Sequence, residues 1–220
     1  MALGKLIYCI ALEYILDIDF EVYKPDAILK LSAEYPKLER FVLSKLRQLD
    51  RDNLYDDFDN KTADEKTIFT FRELSRSFAV STLTHNRSGD VGNWRTSKQE
   101  MKDGFLLHVN GRGQLKEALK ARQDKLSRFG FTDQPLPVIV DAGNNKQCLV
   151  IFDKTEYEVE SPLKAVDVAF KSYHALHADY PVESEHMWMF LQKAIYKFDT
   201  KWDKSVNTVD VLVNEFNNSF

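Results

Sequence analysis

The stretch that most constrains this chain is residues 135–162, where three β-type runs are joined by connections too short for anything but turns. Pro137–Asp141, Gln147–Asp153 and Glu156–Val159 are separated by Ala142-Gly143-Asn144-Asn145-Lys146 and then by Lys154-Thr155, so the runs must fold back on one another as a small antiparallel meander. The central run, Cys148-Leu149-Val150-Ile151-Phe152, is apolar at every position, which predicts cover on both faces. Tyr157 and Val159 alternate with Glu156, Glu158 and Glu160, as on a half-exposed strand. Ser161 and Pro162 then supply an N-cap and a first helical residue.

Three helices follow the meander. The first presents Leu163, Val166, Phe170, Tyr173 and His177 and ends before Tyr180-Pro181. The second presents Met187, Trp188, Leu191, Ala194, Ile195 and Phe198, and a terminal one Val209, Leu212, Val213 and Phe216. Strands followed by helices predict an α+β fold, with the small antiparallel β-meander packed against the C-terminal helices and a mainly helical N-terminal part. The same order argues against a parallel βαβ sheet. With fifteen Phe, nine Tyr and three Trp the chain has enough apolar surface for a sizeable core, which excludes global disorder.

Upstream, Met1–Leu16 is apolar but interrupted by Lys5 and Glu13, with no small-residue cleavage site after it, so it reads as a buried helix rather than a leader or anchor. Ile18, Phe20 and Val22 alternate with Asp17, Asp19 and Glu21, a period-two pattern that reads as a strand or extended connector. Pro25 offers a first-turn position for a helix over Asp26–Leu31, and Pro36 opens a stronger helix marked by Leu38, Phe41, Val42, Leu46 and Leu49. Asp50–Glu65 carries seven acids and reads as a solvated linker. The expected organisation is therefore a helical region over 1–49, an acidic linker over 50–66 and an α+β domain over 67–220.

The middle of the chain is basic. Ile68, Phe71, Leu74 and Phe78 predict a helix with Arg72 and Arg76 outside. Asn86–Gly92 has loop chemistry, Thr96 or Ser97 caps a helix that Gly104 should stop, and Phe105–Val109 is a short buried strand around His108. Leu115, Ala118, Leu119, Arg122, Leu126 and Phe129 define a helix over Gln114–Phe129 with Gly130 as its C-cap. The net charge is −4, yet residues 66–128 hold thirteen Lys/Arg against six Asp/Glu while both flanking segments are acidic. Such a middle either meets an anionic partner or packs against the acidic ends.

The anionic partner to consider is nucleic acid. Arg87, Arg95 and Lys98 flank Trp94, and Arg112, Lys116, Lys120 and Arg128 lie on or beside one helix, so that face can contact phosphates while Trp94 stacks on a base. The interleaved Glu117 and Asp124 lower its field.

Lys102-Asp103-Gly104-Phe105-Leu106-Leu107-His108-Val109, Gln134-Pro135, Ser161-Pro162-Leu163-Lys164-Ala165-Val166-Asp167, Phe170–His177, Tyr180-Pro181-Val182-Glu183 and Trp188–Gln192 together resemble the C-terminal region of uncharacterised, lineage-expanded animal proteins, mostly from arthropods. The resemblance covers about residues 95–215. It implies a multi-copy, mobile-element or host-gene expansion, and no activity comes with it.

Signals for catalysis are thin. His174, His177 and His186, with Glu183 and Glu185 nearby, allow a metal site to be drawn, but H-E-x-x-H is absent. Asp141 and Asp153 end apolar runs as nuclease acids do, but Lys154 directly after Asp153 points to the opposite face. Gly111-Arg112-Gly113 before a helix meets only part of a dinucleotide pattern, and no triad can be assigned around Cys9 or Cys148. Two cysteines without metal-pair spacing suggest reduced thiols. The expectation is a non-enzymatic, intracellular protein, nuclear or cytoplasmic, acting as an interaction or structural module for an unknown protein partner. No cofactor, metal or membrane is expected. A nucleic-acid binder using residues 87–128 is the alternative, and a metal-dependent nuclease or hydrolase a remote one.

Overall fold

The computed structural model describes residues 14–49, 57–87, 90–143 and 145–219. The apolar stretch expected to form the first buried helix lies mostly outside them. What is described begins with helix α1 over residues 14–23, a 3-10 turn at Pro25–Ala27 and α2 at Lys30–Leu49. The alternation of Ile18, Phe20 and Val22 with acids is therefore helical, not extended. Leu16 and Phe20 form the buried side of α1 and share one core with Ala27 and Leu31, and that stripe overrides the local period of two.

Pro36 lies inside α2 rather than at its start. Its missing N–H falls where both Pro36 and Ser32 are exposed, so water can take the Ser32 carbonyl and the helix continues. After the acidic segment, α3 (Ala63–Glu73) opens on a capping box in which the Thr62 hydroxyl accepts from Glu65 N and Glu65 accepts from Thr62 N. A 3-10 turn, Leu74–Ser77, completes the predicted stripe.

The segment expected to be a loop instead forms a hairpin. Strand β1 (Thr82–Arg87) pairs with β2 (Asp90–Arg95) antiparallel from Thr82↔Arg95 to Arg87↔Asp90. Asn86, Asp90 and Gly92, all turn-forming types, lie within the paired strands and hide the ladder. Helix α4 (Lys98–Phe105) follows, capped by Ser97 and Glu100.

Gly104 does not stop α4. It is buried, and a Cβ there would fall on Glu183 Cγ, so glycine is required by close approach rather than by a helix end.

A second sheet has the order β3-β4-β5-β6. Strands β4 (Leu136–Ala142), β5 (Asn145–Phe152) and β6 (Thr155–Val159) are the predicted antiparallel meander. Strand β3 (Leu107–Asn110) adds to it in parallel, Leu107↔Val138 through Asn110↔Asp141, after a crossover through α5 (Arg112–Arg128). One βαβ unit is thus present, against expectation. The long amphipathic helix between the two runs permits it, because a parallel pair needs such a crossover. Helix α5 ends as predicted at Gly130, which has φ 76°. Phe131 N bonds Leu126 O at 2.9 Å and Gly130 N bonds Ser127 O at 3.1 Å, a Schellman ending.

Both sheet faces are covered, where helices on one face were expected. Leu107, Val109, Val138, Val140, Leu149 and Ile151 pack with Leu115 and Leu119 of α5. Ile139, Cys148 and Val150 face the larger core with α6 (Pro162–Ala175). The all-apolar β5 run is explained by this division of alternate residues between two clusters.

The chain ends in α7 (Glu185–Phe190), which continues as a π-helical turn over Leu191–Tyr196, and α8 (Asn207–Asn218). The α+β class stands as expected. The large core runs from Leu16 and Phe41 through Phe71 and Phe105 to Trp188 and Phe216, so the N-terminal helices share one interior with the C-terminal ones across the acidic segment.

Gly104→Ala should destabilise the protein by about 1–3 kcal/mol through overpacking, read as a lowered denaturant midpoint at unchanged m-value. An unaltered midpoint would show that Glu183 yields freely.

Candidate functional site

Two of the basic side chains expected to face a ligand, Lys98 and Arg112, and several of their basic neighbours are used inside the protein. Lys98 Nζ donates to the carbonyls of Ser75, at 2.9 Å, and Phe78, capping the turn after α3. Arg112 pairs with Glu156 of β6 at 2.5 Å and donates to Gln147 at 2.9 Å. Arg122 reaches Glu183 at 2.6 Å and also Asp133, while Lys125 pairs with Glu100. Arg72, expected outside, donates to Asp103 at 2.9 Å and to Leu106 O at 2.6 Å. The contacts of Arg112 and Arg122 join the basic middle to acids of the third segment, the internal outcome foreseen from the charge distribution.

Trp94 is 4% exposed. Its ring stacks on Phe129, with centroids 5.5 Å apart, and Lys125 Nζ lies 4.7 Å from its centroid. The free stacking surface expected of it is therefore not available: Trp94 fastens the β1–β2 hairpin to the end of α5. Arg95, Lys116, Lys120 and Arg128 remain exposed and have no acidic partner among the described residues. The Arg128 guanidinium lies 5.7 Å from the Phe129 ring. The side chain of Arg87 lies outside the described part of the structure.

The residues drawn together as a metal site are dispersed into other contacts. Glu183 accepts from Arg122, Glu185 pairs with Lys204 at 3.1 Å, and His174 Nε2 meets Tyr180 OH at 2.9 Å. Among the described residues no group of three His, Cys, Asp or Glu is placed to hold a metal ion. Asp141 and Asp153 do not converge either. Asp141 meets His108 Nε2 at 2.7 Å, whereas Asp153 and Lys154, with φ 46° and 64°, form the two-residue turn between β5 and β6.

The His108–Asp141 pair sits on adjacent parallel strands and could orient a base, but the imidazole has no hydroxyl or thiol bonded to it among the described residues. Burial pushes the Cys148 thiol up to about 11, which keeps it protonated and unreactive at neutral pH.

A surface feature not anticipated from the sequence lies on α1. Tyr14, Ile15, Ile18 and Val22 are exposed, Tyr14 at 67% and Val22 at 82%. They project opposite Leu16 and Phe20 at helical spacing, with the exposed Asp19 and Glu21 on either side. Leu29, past the turn at Pro25, is exposed as well. The signal in the sequence is two apolar stripes on one helix, which local patterning alone does not separate from burial for Tyr14 and Ile15 or from strand alternation for Ile18 and Val22.

Behind that helix lies a polar chain. Tyr180 OH donates to Gln192 Oε1 at 2.7 Å, and Gln192 Nε2 donates to Asp203 Oδ2 at 2.7 Å and to Phe198 O at 3.2 Å. His174 closes one end, packed among Phe20, Tyr23, Phe170 and Phe198.

No helix among the described residues is long and apolar enough to cross a membrane. Comparison with protein-family models, curated proteins and solved structures gives no match.

Burial, the largest effect, pushes His174 down to about 4, with Lys24 and His177 adding and Asp203 opposing; burial also lowers His186. The unfolded state, titrating near 6.5, then binds more protons than the folded state between those values. Stability is thus full above pH 6.5 and lost as pH falls towards 4. Melting temperature should drop between pH 6.5 and 5, and His174→Gln should flatten part of that slope. An unchanged slope in the variant would show that His174 does not titrate in this window.

Proposed function

We propose that this chain is a non-enzymatic, intracellular protein-interaction module, and that the outward face of α1 is its contact surface. One observation carries the reading: Tyr14, Ile15, Ile18 and Val22 leave one helix on its solvent side while Leu16 and Phe20 of the same helix are buried. An exposed apolar stripe of this kind loses its hydration cost only when something covers it.

Asp19 and Glu21 indicate the chemistry of the cover. A second copy of the same helix would bring like charges together, whereas an apolar helix or strand flanked by Lys or Arg would pair with both. The partner is therefore read as a different protein with a basic, amphipathic segment. The internal use of Lys98, Arg112, Arg122 and Lys125 supports this reading over a phosphate-binding face spread along the whole basic middle.

The test is affinity capture with the wild-type chain beside Ile18→Asp/Val22→Asp, each checked by circular dichroism and thermal melting. Both substitutions are on exposed positions, so the fold should persist to within about 0.5 kcal/mol. Proteins held by the wild type should be lost from the variant and should elute as salt is raised. Equal recovery by both chains, or recovery only of the chain itself, would refute this surface as the docking site.

A further inference from the structure

A cleft of about 520 Å³ opens between β2 and the C-terminal end of α5, lined by Asn93, Trp94, Arg95, Asp124, Arg128 and Phe129 among others. Its size falls within the usual range for small-ligand sites, about 300–1,000 Å³. Its floor is fixed: Trp94 is stacked on Phe129 and tilted against Phe131 at 6.3 Å, and the Schellman turn at Gly130 returns Phe131 to that position.

The two cations at its mouth differ from their neighbours. Lys98, Arg112, Arg122 and Lys125 are all engaged with protein groups, while Arg95 and Arg128 have no acidic partner among the described residues. Two arginines lining a cleft that also holds Trp94 and Phe129 fit a phosphate with a ring attached to it.

Lys120 and Lys116, also exposed and without an acidic partner among the described residues, lie about 12 and 18 Å from Arg128 along α5 at 1.5 Å per residue. They extend the cations along α5 away from the cleft, each four-residue step winding about 40° around the helix axis, a line that a flexible chain can follow. A polyanion fits this line better than a single phosphate does. A flexible strand also fits better than a duplex, because a concave cleft of this volume accepts a splayed base and not a paired one.

We propose that this cleft binds single-stranded nucleic acid, with a phosphate held by Arg95 and Arg128, the adjoining base against Phe129, and the next phosphates passing Lys120 and Lys116. Asp124 at the cleft wall opposes the phosphate and keeps the affinity moderate. The site is separate from the α1 surface and does not depend on it.

Fluorescence anisotropy of the full chain with labelled oligo-U, oligo-dT and a duplex of equal length, at about 50–200 mM salt, tests the proposal. Single strands should bind more tightly than the duplex. Arg95→Ala/Arg128→Ala should weaken binding about tenfold or more and lower the logarithmic salt slope by about 0.7, the value for one lost phosphate on a single strand. Asp124→Asn should strengthen binding, a gain that misfolding cannot produce, and Ile18→Asp/Val22→Asp should leave it unchanged. Absence of single-strand binding at the lowest salt, preference for the duplex, or indifference to the arginine pair would overturn the proposal. So would a phosphoserine peptide bound as tightly as the oligonucleotide, or displacement by inorganic phosphate alone at matched ionic strength.

Discussion

The buried ammonium of Lys171 fixes how the outer parts of this molecule are arranged. Lys171 is 1% exposed, and its Nζ lies 2.6 Å from Asp17 Oδ1 on α1 and 2.7 Å from Asp167 Oδ2 on its own helix. Tyr196 OH donates to the other Asp167 oxygen at 2.7 Å, and the Tyr196 ring stacks on Phe170 at 3.7 Å. A charge so placed has to be met by these groups, since one left unpaired costs several kcal/mol or shifts its ionisation instead. Meeting it sets the rotation of α1 about its axis. Once Asp17 points inward at Lys171 and Phe20 inserts among Phe170, Tyr196 and Phe198, Ile18 and Val22 have no direction left but outward.

The sheet plays the corresponding part for the other half of the chain. Its two faces feed two clusters, and α5 is held over one of them by Leu115 and Leu119. That placement brings Arg112 to the β6 edge beside Glu156 and Arg122 to Glu183. Glu183 in turn lies against Gly104, so one arginine on the crossover helix links α5, α4 and the approach to α7. Part of the charge asymmetry along the chain therefore resolves into internal pairing through Arg112 and Arg122, while among the described residues Arg95, Lys116, Lys120 and Arg128 keep no acidic partner. Burial at Arg122 and Glu183 makes their pairing compulsory in a way that surface pairs such as Lys204–Glu185 are not.

Much of the architecture follows from local signals. The meander, the Ser161-Pro162 helix start, the Ser97 cap, the Gly130 ending and the all-apolar β5 strand are legible because each rests on residues a few positions apart: turn chemistry, capping and side-chain period. The hairpin at Thr82–Arg95 is hidden by the turn-forming types Asn86, Asp90 and Gly92 within its strands, and the helical course of residues 17–22 by an alternation that also satisfies a helix with two apolar sides. Neither error could be removed locally, because a six-residue window fits both periods.

The sequence by itself determined the class of fold, the positions of most elements and the imbalance of charge that had to be met somewhere. Only the tertiary structure decided that β3 joins the sheet in parallel, that α1 presents Ile18 and Val22 to solvent, that Trp94 is a fastening rather than a platform, and that Arg95, Lys116, Lys120 and Arg128 stay exposed without an acidic partner among the described residues. These are matters of which distant groups meet: Lys171 and Asp17 stand 154 residues apart, and Arg122 and Glu183 stand 61 apart. No periodicity encodes such a pairing. It is settled when burial of the apolar faces brings the charges within reach and desolvation leaves them no other partner.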